Sequence, residues 1–180
     1  MELEDYDNYW KNLEKFEEID DLIENNYFTQ AIKLIKEAPI EVISMGARKE
    51  DYTLLHTAIN AESDEICKLL LERMSPEAIN AAECGGGTAL HDCVSNNNIE
   101  LCKLLIPKML KSINYQSSVF EDTALHRAVR FGYKEISKLL ISNMSLDGIN
   151  AKNTDNQTAL DIVMEKLAVY TEIAEMLKNA

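Results

Sequence analysis

No run of about 18 apolar residues occurs anywhere in the chain, and a helix that crosses a bilayer needs one. Basic residues are scarce: 18 Lys and Arg stand against 31 Asp and Glu, a formal net charge of −13. Nucleic acid is therefore not an expected partner, because phosphate binding rests on Lys and Arg displacing counterions. Anionic membrane surfaces are excluded on the same ground. The opening MELEDYDNYW lacks the basic and apolar regions of a secretory signal, so the chain is expected in the cytoplasm. Its four cysteines are then expected as free thiols, since that compartment is reducing. Catalytic patterns are missing as well. CGGGT at 84–88 has no preceding strand and no closing G-K-[ST], so it is not a phosphate loop. No nucleophile, base and acid stand at a recognisable spacing. No enzyme activity, cofactor, metal or small-molecule substrate is expected.

What is present is order on a fixed step. The three histidines, His56, His91 and His126, stand 35 residues apart. Thr53, Thr88, Thr123 and Thr158 keep the same step, as do Leu55, Leu90, Leu125 and Leu160, and Met74, Met109 and Met144. A Lys followed by two aliphatics recurs at 33, 68, 103 and 138. So many columns in phase make the chain an array. Within TALHRAVRFGYKEISKLLISNM, Leu125, Ala128 and Val129 form one apolar stripe at helical spacing, Gly132 interrupts, and Ile136, Leu139 and Leu140 form a second. Each unit is thus two helices, joined to the next by turn-forming stretches such as NAKNTDNQ. One helix pair cannot cover its own apolar faces, so units must stack into an elongated solenoid.

The T-x-L-H-x-A start, the helix–turn–helix and the closing Ile-Asn pairs (Ile79-Asn80, Ile113-Asn114, Ile149-Asn150) resemble ankyrin repeats over about residues 18–178. The family's T-P-L-H carries Leu or Ala here in place of Pro, and the period exceeds the usual ~33 by two residues. Those two are assigned to the link after the second helix, in RMSPEAIN and NMSLDGIN. The resemblance implies an all-α ankyrin-repeat solenoid with polar finger loops. Its expected parts are an acidic amphipathic helix at 1–17, a degenerate N-capping unit at 18–50, repeats at 51–81, 82–115 and 116–151, and a C-capping unit at 152–180.

Threonine at a helix start can accept from the N–H three residues on. In the three full units that residue is histidine, whose ring can return a bond to Thr53, Thr88 or Thr123 and, by the resemblance, reach the next unit's backbone. The last unit has Thr158 with Asp161, and the first has Asp21 in that column. Histidine within and acid at both ends is the pattern of an inter-unit strut. A three-histidine metal site is the competing arrangement. Packed helices lie about 8–10 Å apart, too far for equivalent rings to share an ion that needs each nitrogen at about 2.0–2.1 Å. The cysteines fit the core reading too. Cys67 and Cys102 share a second-helix column, and Cys93 stands in the column of Ala58 and Ala128. Free cysteine packs as a small hydrophobe. Only Cys84, at a finger tip, is expected to be available for reaction.

Function should then lie on the surface. The resemblance implies a partner protein bound on the concave face by the fingers and first helices. The finger positions are Lys49, Glu50, Tyr52, Cys84, Gly85, Val119, Phe120, Asp122, Thr154, Asp155 and Gln157, and the first-helix positions include Thr57, Asn60, Asp92, Arg127, Arg130 and Phe131, with Tyr133 just beyond. Val119, Phe120, Phe131, Tyr133 and the two arginines make an aromatic and guanidinium group of the kind enriched at binding hot spots. Against that, Asp92 and Glu165 occupy the columns of Arg127 and Arg130 in adjacent units and would pair with them. Tyr6, Tyr9, Trp10, Leu13 and Phe16 form a stripe opposite acids, expected to seal the first unit or to dock on a partner. The short array and the LLISNMS wording resemble ankyrin proteins of host-associated intracellular bacteria, which implies an effector in a host cytosol. An inhibitor that masks a transcription-factor or enzyme surface and a self-associating module are the alternatives to a monomeric adaptor.

Overall fold

The computed structural model describes residues 3–46, 52–83 and 86–167. Among them the backbone is helix and loop, with isolated antiparallel bridges joining Gly46 to Thr53 and Ala82 to Thr88. The helices are α1 (Leu3–Glu24), α2 (Phe28–Glu37), α3 (Ile40–Ile43), α4 (Leu54–Asn60), α5 (Asp64–Arg73), α6 (Pro76–Ile79), α7 (Ala89–Ser95), α8 (Ile99–Leu105), α9 (Ala124–Phe131), α10 (Lys134–Ile141) and α11 (Leu146–Ile149). A 3-10 turn at Ile106–Lys108 follows α8. Residues 159–167 form α12. None of these helices is long and apolar enough to cross a membrane.

The hairpins are α1/α2, α4/α5, α7/α8 and α9/α10, and they stack in two rows. First helices α1, α4, α7 and α9 touch in series, as do second helices α2, α5, α8 and α10. The repeating columns are the seams: Leu55, Leu90 and Leu125 are buried, as are Ala58, Cys93 and Ala128, then Leu70, Leu105 and Leu140. Each buried aliphatic side chain contributes about 1.5–3 kcal/mol. The spread of that core along the whole stack is what holds units that could not fold alone.

Each hairpin turns on one left-handed residue: Asn26 (φ 62°), Glu62 (φ 54°), Asn97 (φ 53°) and Gly132 (φ 78°). The next N–H reaches back five residues, Tyr27 to Leu22 (2.8 Å), Ser63 to Ala58 (3.0 Å), Asn98 to Cys93 (3.1 Å) and Tyr133 to Ala128 (2.8 Å), closing the last turn of the first helix. Only the fourth hairpin uses the glycine that this geometry favours, so the turn was visible in sequence there and hidden elsewhere. The fingers repeat the device at Gly86 (φ 80°), Glu121 (φ 51°) and Asn156 (φ 59°). At Gly86 a second constraint applies, since a Cβ there would lie 2.1 Å from the Ser118 backbone nitrogen in the next finger.

The long period has a structural cause. The two residues beyond the usual unit length fall where α6 and α11 form, each capped by a serine: Ser75 Oγ accepts from Ala78 N and Ser145 Oγ from Gly148 N, both at 3.2 Å. α3 takes the same place in the first unit. Asparagines of the Ile-Asn pairs then lace units together. Asn80 donates to the Lys108 carbonyl (3.1 Å) and accepts from the Ser112 hydroxyl (2.6 Å), and Asn114 donates to the Ser145 hydroxyl (2.9 Å).

The expected boundary at 17/18 falls within α1, Leu3–Glu24. α1 runs unbroken through it, and its last two turns serve as the first helix of the first unit.

Candidate functional site

The threonine–histidine pairs open α4, α7 and α9. Nδ1 of His56, His91 and His126 accepts from the N–H of Thr53, Thr88 and Thr123 at 3.2, 3.1 and 3.1 Å. The matching hydroxyls lie 2.9, 3.0 and 2.8 Å from the same nitrogens. With Nδ1 accepting, Nε2 carries the proton and donates it across the stack: His91 to the Asp122 carbonyl and His126 to the Gln157 carbonyl, each at 3.1 Å. His56 is fully buried, with its ring edge-on to Tyr52 at 5.7 Å, and its Nε2 meets no partner among the described residues. Burial pushes His56 and His91 down to about 4, because a charged ring would lose its water. His56 and His91 are therefore neutral, and the bond to the next unit's backbone is made by His91 and His126. Among the described residues no three His, Cys, Asp or Glu side chains converge as a metal site.

In α12 the carboxylate of Asp161 takes the ring's place. It accepts from Thr158 N (2.9 Å) and the Thr158 hydroxyl (2.8 Å), and those bonds hold its carboxyl below the usual range. No unit beyond is needed for this cap.

On the open face, the expected binding residues separate into three groups. Thr57 and Asp122 do not belong there. Thr57 is 7% exposed, covered by α1, and its hydroxyl donates to Asp20 Oδ1 at 2.6 Å. Asp122 is 2% exposed and accepts from Arg130 Nη2 (3.1 Å) and Asn153 Nδ2 (3.0 Å), while its carbonyl receives His91. It ties three units together and cannot meet a partner. A second group is engaged within the stack. Arg127 Nη1 lies 4.0 Å from Asp92 Oδ1 and donates to the Ser95 hydroxyl at 3.2 Å. Burial pushes the Asp92 carboxyl up to about 7, with nearby Glu83 adding to the rise and Arg127 opposing it. The expected Arg127–Asp92 pairing is present in this loose form. Arg130 instead turns to Asp122, and Glu165, its column partner, accepts from Gln157 Nε2 at 2.8 Å.

The third group is exposed. Val119 and Phe120 stand 57% open at the finger tip, and Phe131 is 55% open, stacked on Tyr133 at 5.5 Å. They do not form one cluster. α9 lies between the finger and Phe131, and its eight residues span about 12 Å. Asn60 is exposed at the end of α4, and Tyr52 is half-buried at its start. The finger positions Lys49, Glu50, Cys84 and Gly85, including the thiol expected to be reactive, lie outside the described residues.

Two contacts had no expectation in the sequence. Arg73 reaches back to the carbonyls of Ile35 and Ala38 (2.8 Å to the latter), and Lys166 donates to the Arg130 carbonyl. Each places a cation on the carbonyl end of a helix in the preceding unit. Neither residue belongs to a repeated column, so periodicity could not reveal it.

Struts, seams and fingers together define a solenoid of helical hairpins. Family descriptions match it directly: ankyrin repeats in three copies over residues 22–117, and a further ankyrin repeat over 120–154. The chain belongs to the ankyrin-repeat family, whose repeats form protein–protein interaction modules and are generally non-enzymatic. A comparison with curated proteins returns no match.

Proposed function

We propose that this chain is a non-enzymatic adaptor that binds one partner protein along the open face of the fourth unit, with aromatic anchors at the two ends of α9. The observation that carries the reading is the exposure of Val119 and Phe120 on a finger tip, a position ordinarily polar. Aromatic side chains supply large contact area at low entropic cost and dominate binding energetics. Between the anchors, Arg127 and Arg130 already have carboxylates nearby, so the middle of the face is close to charge-balanced. A partner is held there by shape and apolar contact more than by charge. The short array and the LLISNMS wording support an effector that acts on a host protein in the host cytosol. An inhibitor masking a transcription-factor or enzyme surface uses the same face.

The test is affinity purification with Phe120→Ala and Phe131→Ala, using Ile141→Ala on the outer row as a control. Loss of a hot-spot aromatic costs about 2 kcal/mol or more, some thirtyfold in affinity. Both face variants should lose a partner that the wild type and the control retain. Equal recovery by all four proteins removes the proposal.

A second reading rests on the other end of the molecule. Leu160 is 67% exposed, although Leu55, Leu90 and Leu125 in the same column are buried. With Val163, Met164 and Leu167 it forms an exposed apolar stripe on α12. The occupant that continues this seam is a second copy, joined end to end.

A further inference from the structure

The third unit holds a pair of sulfurs that neither the struts nor the open face uses. Cys93 on α7 and Cys102 on α8 are both fully buried, and their Sγ atoms lie 3.0 Å apart. That is close for two thiols, though well beyond the ~2.05 Å of a covalent bond. The repeat shows why the pair is confined to this hairpin. The same two columns hold Ala58 and Cys67 in the second unit, and Ala128 and Ser137 in the fourth. Only the third unit places sulfur in both, where first and second helices of one hairpin meet.

The pair is closed to solvent but stands one hydrogen bond from a cleft. The Cys93 thiol donates to the Asn98 carbonyl at 3.2 Å, and Asn98 lines a cleft of about 350 Å³ between the second and third units, with Cys67 and Leu101 on its wall. A small oxidant fits such a space, since a water takes about 30 Å³. The hydrogen bond between the two thiols, and then burial, push the Cys93 thiol upward, so it stays neutral in the closed hairpin. Thiolate is the reactive form, and its formation here requires the turn at Asn96–Asn98 to open.

We propose that Cys93 and Cys102 form a redox-convertible dithiol, closed by a peroxide into a disulfide that ties α7 to α8. One sulfur attacks a peroxide oxygen, the O–O bond breaks, and a sulfenic acid and one water result. The second sulfur attacks the sulfenic sulfur, the S–S bond forms, the S–O bond breaks, and a second water leaves. Two thiols lose two electrons and hydrogen peroxide gains them. The bridge closes a ring over the left-handed turn at Asn97 and releases the Asn98 carbonyl to the cleft, so the hairpin that carries Asp92 and Ser95 stiffens.

The full-length Cys84→Ser chain is suitable for the test, because it leaves only these two cysteines between Arg73 and Lys103. It is held in glutathione/glutathione-disulfide buffers until composition stops changing, and separately exposed to hydrogen peroxide, then unfolded, alkylated and mapped by mass. The expected product is one peptide carrying both residues, about 2 Da lighter than its dithiol form and unalkylated. Amides of α7 and α8 should exchange at least tenfold more slowly in that form. Adding Cys93→Ala or Cys102→Ala should abolish the product, and Cys67→Ala should not. Two alkylated thiols across the whole buffer series, or glutathione adducts on either residue without the bridge, would overturn the proposal.

Discussion

At the residue scale, most of the chemistry concerns protons kept away from buried groups. His91 has an ordinary value of 6.5 and a folded value of about 4, and His56 shifts the same way, both through loss of water. The unfolded chain therefore takes up these protons first, and the stability they report is lost as pH falls from about 6.5 toward about 4. Asp92 runs in the opposite sense. Its ordinary value is 3.8 and its folded value about 7, so between them the folded chain holds the extra proton. Its contribution is present at low pH and lost as pH rises through that window. Asp92→Asn removes this dependence and leaves the histidines in place. The variant should gain on the wild type by up to about 1.4 kcal/mol per pH unit between about pH 4 and pH 7. Denaturant unfolding of both proteins at about pH 5 and about pH 8 measures it. A difference that does not change between the two pH values would mean that Asp92 ionises normally. The threonine–histidine pairs were legible as a column with a capping role. The perturbed carboxyl was not, because its burial comes from α7 packing beside α9.

At the element scale, α1 carries the clearest consequence. Leu13, Phe16, Ile19 and Ile23 are buried at spacings of three and four, and they face α2, α3 and α4. No proline or glycine stands between residues 3 and 24, so nothing in the chain stops the helix where the first unit begins. Tyr9 and Trp10 are 45% and 44% exposed and meet edge to face at 5.9 Å, whereas Leu13 and Phe16 belong to the core. The aromatic stripe read in the sequence thus divides along its length between seal and surface. Phe16→Ala should cost about 3–5 kcal/mol, a large share of the 5–15 kcal/mol of a typical domain. Thermal and denaturant unfolding check this. A loss below about 1 kcal/mol would show that α1 is an appendage to the stack. The short helices α3, α6 and α11 are the elements that sequence period alone could not supply. It showed that each link was longer than usual; Ser75 and Ser145 cap the helices that this length forms in α6 and α11, whereas Pro39 opens α3 without a side-chain cap.

At the scale of the whole molecule, the two ends differ. The first is closed by α1, with Asp20 bonded to Thr57. The last described helix, α12, closes its own start through Thr158 and Asp161 and leaves Leu160, Val163, Met164 and Leu167 open. The self-association reading expects light scattering to give one chain mass at low concentration and twice that at high concentration. Leu160→Glu, which places a charge on the seam, should restore the single mass. One chain mass throughout the concentration range would remove that reading and leave the adaptor alone.

The sequence by itself determined the period, the two-helix unit, the apolar face of each helix and the threonine–histidine columns. It could do so because these depend on spacings of a few residues, repeated until they stand out. Only the tertiary structure decided which side chains meet across the seams. It turned Asp122 inward between three units, set α1 over Thr57 and left Arg130 unpaired with Glu165 of the next unit. Those pairings depend on how one hairpin is rotated and offset against the next. That geometry is set by the packing of all the seams together, and no single unit's residues encode it.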